Sequence, residues 1–105
     1  MKIAIATAAL LLAAGSSPPA ALAAGGTGEE LFKLHCTDCH QDGGNIVNPQ
    51  KTLKKADREA HGIKTAQDIV KQMRNPGPGM TQFDTKTIPD KDAKAIADYV
   101  ITTFK

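Results

Sequence analysis

Apolar positions along this chain change texture several times, and each texture predicts a different element. Residues 3–14 are apolar except for Thr7, a run well short of the roughly 20 residues that a bilayer-crossing helix needs. Lys2 precedes the run, Gly15, Ser16, Ser17, Pro18 and Pro19 break it, and Ala21-Leu22-Ala23 closes it. That order predicts a secretory signal peptide over residues 1–23, cleaved after Ala23 or Ala24.

Helical periodicity begins after Gly25, Gly26 and Gly28. Thr27 and Glu30 have the capping-box spacing ahead of Leu31, Phe32 and Leu34, so a first helix is expected to run toward Cys36. Gln41 to Gln50 has no period; its Gly, Asn and Asp residues and the Asn48-Pro49 step predict tight turns that wrap a bound group. Lys51 to Ala60 is a weakly amphipathic helical stretch. Residues 65–74 are clearer, with Thr65 as cap and Ala66, Ile69, Val70 and Met73 at helical spacing, and Asn75-Pro76 stops them. In Pro76-Gly77-Pro78-Gly79-Met80, two fixed φ angles alternate with two permissive residues, which predicts a shaped loop presenting Met80. A last helix is expected from Pro89, with Asp90 and Asp92 in its first turn and Ala93, Ile96, Ala97, Val100 and Phe104 along one face. No stretch alternates as a strand would. The fold class is therefore all-α, three to four helices in one domain over residues 24–105.

Composition adds a constraint on stability. Residues 24–105 leave 82 positions with only Phe32, Phe83, Tyr99 and Phe104 as aromatic residues and no Trp. At that size an apolar core alone gives marginal stability, and a covalent or metal staple is the usual remedy. A large planar cofactor would supply the missing apolar surface. Without Lys2, 12 basic residues stand against 11 acidic ones, so nucleic acid binding is not indicated. No cysteine follows the apolar run at a lipid-attachment position, which predicts a soluble mature chain without stable membrane insertion. Lys51, Lys54 and Lys55 form a local basic cluster, suited to docking a partner or simply to a solvated helix face.

Cys36-Thr37-Asp38-Cys39-His40 is the C-x-x-C-H pattern of c-type haem attachment. Two thiols at this spacing reach the two vinyl groups of one macrocycle, and the adjacent imidazole then lies under the iron. Export suits this chemistry. A structural disulfide or a redox-active dithiol is the alternative for the same cysteines, but no βαβ pattern surrounds them. A sixth ligand must come from Met73, Met80, His35 or His61. Met73 shares the spacing of Ile69 and Val70 and reads as core. His61 reads as a solvated side chain, and His35, next to Cys36, is poorly placed for the distal side. Met80, on its rigid loop, is the best placed.

With these residues, and with Gly43-Gly44-Asn45, Pro49-Gln50-Lys51-Thr52-Leu53 and Phe83 three positions after Met80, the chain resembles the class I c-type cytochromes. Within them it is similar to the small monohaem carriers of the cytochrome c6 branch, over nearly all of residues 27–104. The resemblance implies a cytochrome c fold wrapped around one covalently bound haem c. It also implies thioethers at Cys36 and Cys39, His40 as proximal ligand and Met80 as distal ligand. Pro49 resembles the proline whose carbonyl accepts the proximal imidazole N–H. Gly28 and Phe32, with Ile96 and Tyr99, resemble the family's helix-crossing contact.

The implied function is that of a monomeric one-electron carrier, not an enzyme, docking transiently to redox partner proteins. The residues around Met80 differ from those of the branch's photosynthetic members: Asn75-Pro76-Gly77-Pro78-Gly79 precedes it and Thr81 follows. Respiratory partners are therefore expected over photosynthetic ones, and the periplasm over a thylakoid lumen. A rival reading leaves the sixth position open for peroxide or a small gas, although no distal base or Arg is evident in the Met80 loop. A haem-sensing or haem-delivery module would need an output domain or a dissociable haem, and neither is evident.

Overall fold

In the computed structural model, residues 26–105 are described, and the expected signal peptide lies outside them. The chain forms α1 (Gly28–His35), α2 (Thr37–His40), a 3-10 turn at Gln41–Gly43, α3 (Lys55–Ala60), α4 (Ala66–Arg74) and α5 (Asp90–Thr103). No strand occurs among the described residues.

Local chemistry sets the helix starts. Thr27 is extended and its hydroxyl accepts from the Glu30 N–H at 3.2 Å, so only the threonine half of the expected box forms at α1. The reciprocal box is at α4, where the Thr65 hydroxyl accepts from the Asp68 N–H (3.1 Å) and the Asp68 carboxylate accepts from the Thr65 N–H (3.0 Å). A helix over Lys51 to Ala60 does not form in full. The Lys51 carbonyl accepts from Asn45 Nδ2 and the Leu53 N–H donates to the Gly43 carbonyl, so these groups are taken by the preceding loop and the helix begins at Lys55.

The core lies where α5 crosses α1 and α4. Ala93, Ile96, Ala97 and Val100 recur at i, i+3, i+4 and i+7 along α5 and are all buried. They meet Leu31 and Phe32 from α1 and Ile69 and Met73 from α4. Leu34 is 73% exposed and takes no part in the core. Phe104 lies beyond the end of α5 rather than on its face; its ring packs on Phe32 and Tyr99 with centroids 5.4 and 5.9 Å apart.

Gly28 permits the α1–α5 crossing. A Cβ at this position would run into the Ala95 carbonyl and lie 2.9 Å from Tyr99 Cβ. Neither neighbour is a flexible tip, so the helices would have to separate. Gly28→Ala is expected to destabilise the protein by about 1–3 kcal/mol, the usual range for overpacking. Denaturant unfolding checks this, and an unchanged midpoint would contradict a backbone-close crossing.

Candidate functional site

The site begins where α1 ends. Cys36 leaves helical geometry (φ −120°, ψ −29°), and its N–H still caps the Phe32 carbonyl at 2.8 Å. A single new turn follows, with the N–H groups of Cys39 and His40 both donating to the Cys36 carbonyl. One helical turn therefore places Cys36, Cys39 and His40 on one face, since positions i, i+3 and i+4 are neighbours. The two thiols are not joined in a disulfide; Cys36 is half-buried and Cys39 exposed. Burial pushes the Cys36 thiol up to about 11, so it stays protonated at neutral pH. Redox-active C-x-x-C pairs need the opposite shift, toward thiolate.

His40 is held by a different carbonyl from the one expected. Its Nδ1 lies 2.8 Å from the Gly44 carbonyl oxygen. An oxygen of this kind only accepts, so Nδ1 carries the proton and Nε2 keeps its lone pair for a metal. The resemblance had assigned this role to Pro49, and the structure corrects it. Asp42 (φ 55°) and Gly43 (φ 77°) are both left-handed and reverse the chain directly after His40, bringing the carbonyl four residues on back to the ring. Pro49 is exposed beyond a second turn, in which Asn45 Oδ1 accepts from the N–H groups of Val47 and Asn48.

The Met80 loop is anchored at its far end. The Phe83 N–H donates to the Met73 carbonyl (2.9 Å), Gln82 Nε2 to the Arg74 carbonyl (2.9 Å) and Arg74 Nη1 to the Phe83 carbonyl (3.2 Å). Gly79 is left-handed (φ 91°), and a Cβ there would meet Val47 Cγ1 at 2.8 Å, so the loop leans on the turn that follows the C-x-x-C-H segment.

Cys36, Cys39, His40 and Met80 line one cavity of about 540 Å³, within the ~300–1,000 Å³ common for cofactor pockets. Phe32, Leu53, Ile69, Phe83, Ile96 and Val100 form its apolar wall, and Asn45, Lys51, Thr52, Asp57, Arg58 and Gln72 are polar residues along it. The other donors considered also touch it. Met73 is 4% exposed within the core and His35 stands edge-on to Phe83 with centroids 6.0 Å apart, while His61 Nδ1 donates to the Asp57 carbonyl at 2.8 Å, which leaves its Nε2 as available as that of His40.

No group of three or more His, Cys, Asp or Glu residues forms a bare metal site among the described residues. An imidazole and a thioether are too few ligands for a free ion but suit an iron that brings a macrocycle's four nitrogens. The donors, the thiols and the apolar wall thus fit a haem. Sequence reasoning missed the Gly44 carbonyl, the Gly79–Val47 contact and the buried Arg58, none of which has a compositional signature.

Comparison with known proteins agrees. Residues 23–100 match the family model described as cytochrome C oxidase, cbb3-type, subunit III. The chain is similar to cytochrome c6 of Nostoc sp., 40% identical over 74 residues, covering 70% of this chain and 66% of that protein. It is similar to cytochrome c6 of Bumilleriopsis filiformis, 36% identical over 75 residues, 71% of this chain and 86% of that one. Among solved structures it is similar to OmcF, an outer membrane cytochrome from Geobacter sulfurreducens, with a TM-score of 0.73 and 51% identity over 74% of this chain and 99% of that one.

The polar side of the cavity carries a pH signature. The Thr52 hydroxyl, with the Thr52 N–H and the charges of His61 and Lys54, holds the Asp57 carboxyl below the usual carboxylate range. A lowered folded-state value means that its contribution is present above the ordinary value of ~3.9 and is lost as pH falls through the lower one. Asp57→Asn is therefore expected to be less stable than the parent at pH 7, with the gap closing as pH falls below about 4. Thermal unfolding across pH checks this, and a gap independent of pH would contradict the assignment.

Proposed function

This chain belongs to the class I c-type cytochromes as a c6-like member, and we propose that Cys36 and Cys39 hold its haem, that His40 and Met80 are the axial ligands, and that it serves respiratory redox partners. Like the cytochromes c6, it carries one covalently bound haem c and is an electron carrier rather than an enzyme. The convergence of two unjoined thiols, an imidazole with Nε2 available and a thioether on one apolar cavity carries the proposal.

The haem supplies a ferric/ferrous couple that exchanges one electron at a time. His40 and Met80 are neutral donors in an apolar setting, a ligand set that raises the potential relative to harder ones. The Nδ1–H bond to Gly44 fixes the imidazole plane and strengthens it as a donor. The loop anchored at Met73 and Arg74 holds the thioether in place, which keeps rearrangement small. Phe83 and the wall on α5 exclude water.

Partners dock at the exposed edge beside Cys39. The Ile46 N–H donates to the Cys39 carbonyl at 3.0 Å, and Ile46 and Val47 are 69% and 57% exposed. Lys55 is drawn toward Glu59 at 4.0 Å, so Lys51 and Lys54 are the steering charges of the basic cluster. Docking is weak and transient, by a monomer. No helix among the described residues is long and apolar enough to cross a membrane, and with residues 1–23 read as a signal peptide the site of action is the periplasm. Respiratory partners are favoured by the Pro-Gly approach to Met80 and by a family model named for a terminal oxidase subunit.

Met80→Ala is expected to convert a low-spin spectrum into a high-spin one, open the iron to carbon monoxide or cyanide, and lower the potential by on the order of 100 mV or more, within the ~0.8 V that axial ligands span. Absorption spectroscopy and redox titration check this. An unchanged low-spin spectrum and potential would remove Met80 and point to His61.

A further inference from the structure

The loop that carries Met80 is held unequally at its two ends. Beyond Met80 it is pinned to α4 by three bonds: the Phe83 N–H to the Met73 carbonyl (2.9 Å), Gln82 Nε2 to the Arg74 carbonyl (2.9 Å) and Arg74 Nη1 to the Phe83 carbonyl (3.2 Å). Before Met80, Pro76 and Pro78 have no N–H to give. The one hydrogen bond that residues 76–81 make among the described residues runs from the Met80 N–H to the Gly77 carbonyl at 3.5 Å, longer than ordinary bonds of this kind. A Cβ at Gly77 would have nothing within 4 Å. The near limb of the loop is therefore restrained by side-chain contact rather than by hydrogen bonds.

That contact is made by Val47. A Cβ at Gly79 would lie 2.8 Å from Val47 Cγ1 and 3.9 Å from its Cβ, so the valine abuts the backbone one residue before Met80. Val47 is itself well fixed. Asn45 Oδ1 accepts from the N–H groups of Val47 (3.0 Å) and Asn48 (2.9 Å), Asn45 Nδ2 donates to the Lys51 carbonyl (2.9 Å), and the Ile46 N–H donates to the Cys39 carbonyl (3.0 Å). Two γ carbons on one Cβ also leave the side chain few rotamers. Val47 and Met80 line the same cavity. At 57% exposure Val47 contributes little to the core, so a substitution there isolates its effect on the loop.

We propose that Val47 is a positioning residue for the distal ligand: seated against Gly79, it holds the near limb of the loop and so sets how often the Met80 thioether leaves the iron. This rests on the His40/Met80 reading above and deepens it. The turn after the C-x-x-C-H segment then governs both axial positions, His40 through the Gly44 carbonyl and Met80 through Val47.

The test uses the ferric holoprotein and cyanide, which binds the iron only after Met80 has left, so that at saturating cyanide the binding rate is the rate of Met80 departure. Val47→Ala is expected to raise this limiting rate about three- to tenfold, equivalent to about 0.7–1.4 kcal/mol off the barrier, with the unfolding midpoint nearly unchanged. Val47→Ile keeps the γ carbons and should retain the parent rate. Gly79→Ala should also raise the rate, but by a smaller factor in the Val47→Ala background, where the colliding Cγ1 is gone; a double-mutant cycle reads this coupling. Equal rates in the parent and Val47→Ala, or a faster rate matched by an equal loss of global stability, would overturn the proposal. Independent effects of Val47→Ala and Gly79→Ala would overturn it too, and if Gly79→Ala does not fold, the two Val47 variants decide. A parent protein without the methionine-to-iron charge-transfer band would instead sink the Met80 assignment, and this proposal with it.

Discussion

A single apolar wall serves two purposes in this protein. Phe32, Ile69, Met73, Ile96 and Val100 are buried core residues, and the same side chains line the cavity beside Cys36, His40 and Met80. The core is therefore one-sided, packed by α1, α4 and α5 on one side and facing a cavity of about 540 Å³ on the other. Burial is worth roughly 25 cal/mol per Å² of apolar surface, and a chain this short buries a smaller share of its surface than a larger domain does. A macrocycle against that wall completes the core, so stability and function draw on the same contacts.

The C-terminal residues are fastened to this wall. Phe104 packs against Phe32, and its ring would meet a Cβ at Gly43 at 2.5 Å. Gly43 is also one of the left-handed residues that turn the chain after His40. The C-terminus thus closes over the turn that brings the Gly44 carbonyl to the imidazole, and the Arg58 bond to the Phe104 carbonyl holds it there. Residues far apart in sequence converge on the orientation of one ring.

Much of this was legible beforehand. The helices carrying Ile69 and Met73, and Ala93 to Val100, follow from apolar spacing, because their buried faces are long enough to repeat. The Met80 loop follows from its prolines and glycines, which exclude regular structure. What stayed hidden depends on backbone groups and on tertiary contact. A carbonyl has no residue-type signature, so Gly44 could not be told from Pro49, and the left-handed Asp42 that decides between them has no marker either. Lys51 to Lys54 have helical propensity, but the loop claims their backbone groups. Arg58 reads as surface until the C-terminus is seen to cover it.

Fold, cavity and donor set all depend on the proposed haem bonded through Cys36 and Cys39. Mass spectrometry of the exported protein, intact and as peptides after denaturation and thiol alkylation, tests it most directly. The expected mass is one haem above the mature chain, with the haem retained on the peptide spanning Cys36 to His40 and neither cysteine alkylated. A chain of unmodified mass, with both cysteines alkylated or joined to each other, would contradict it.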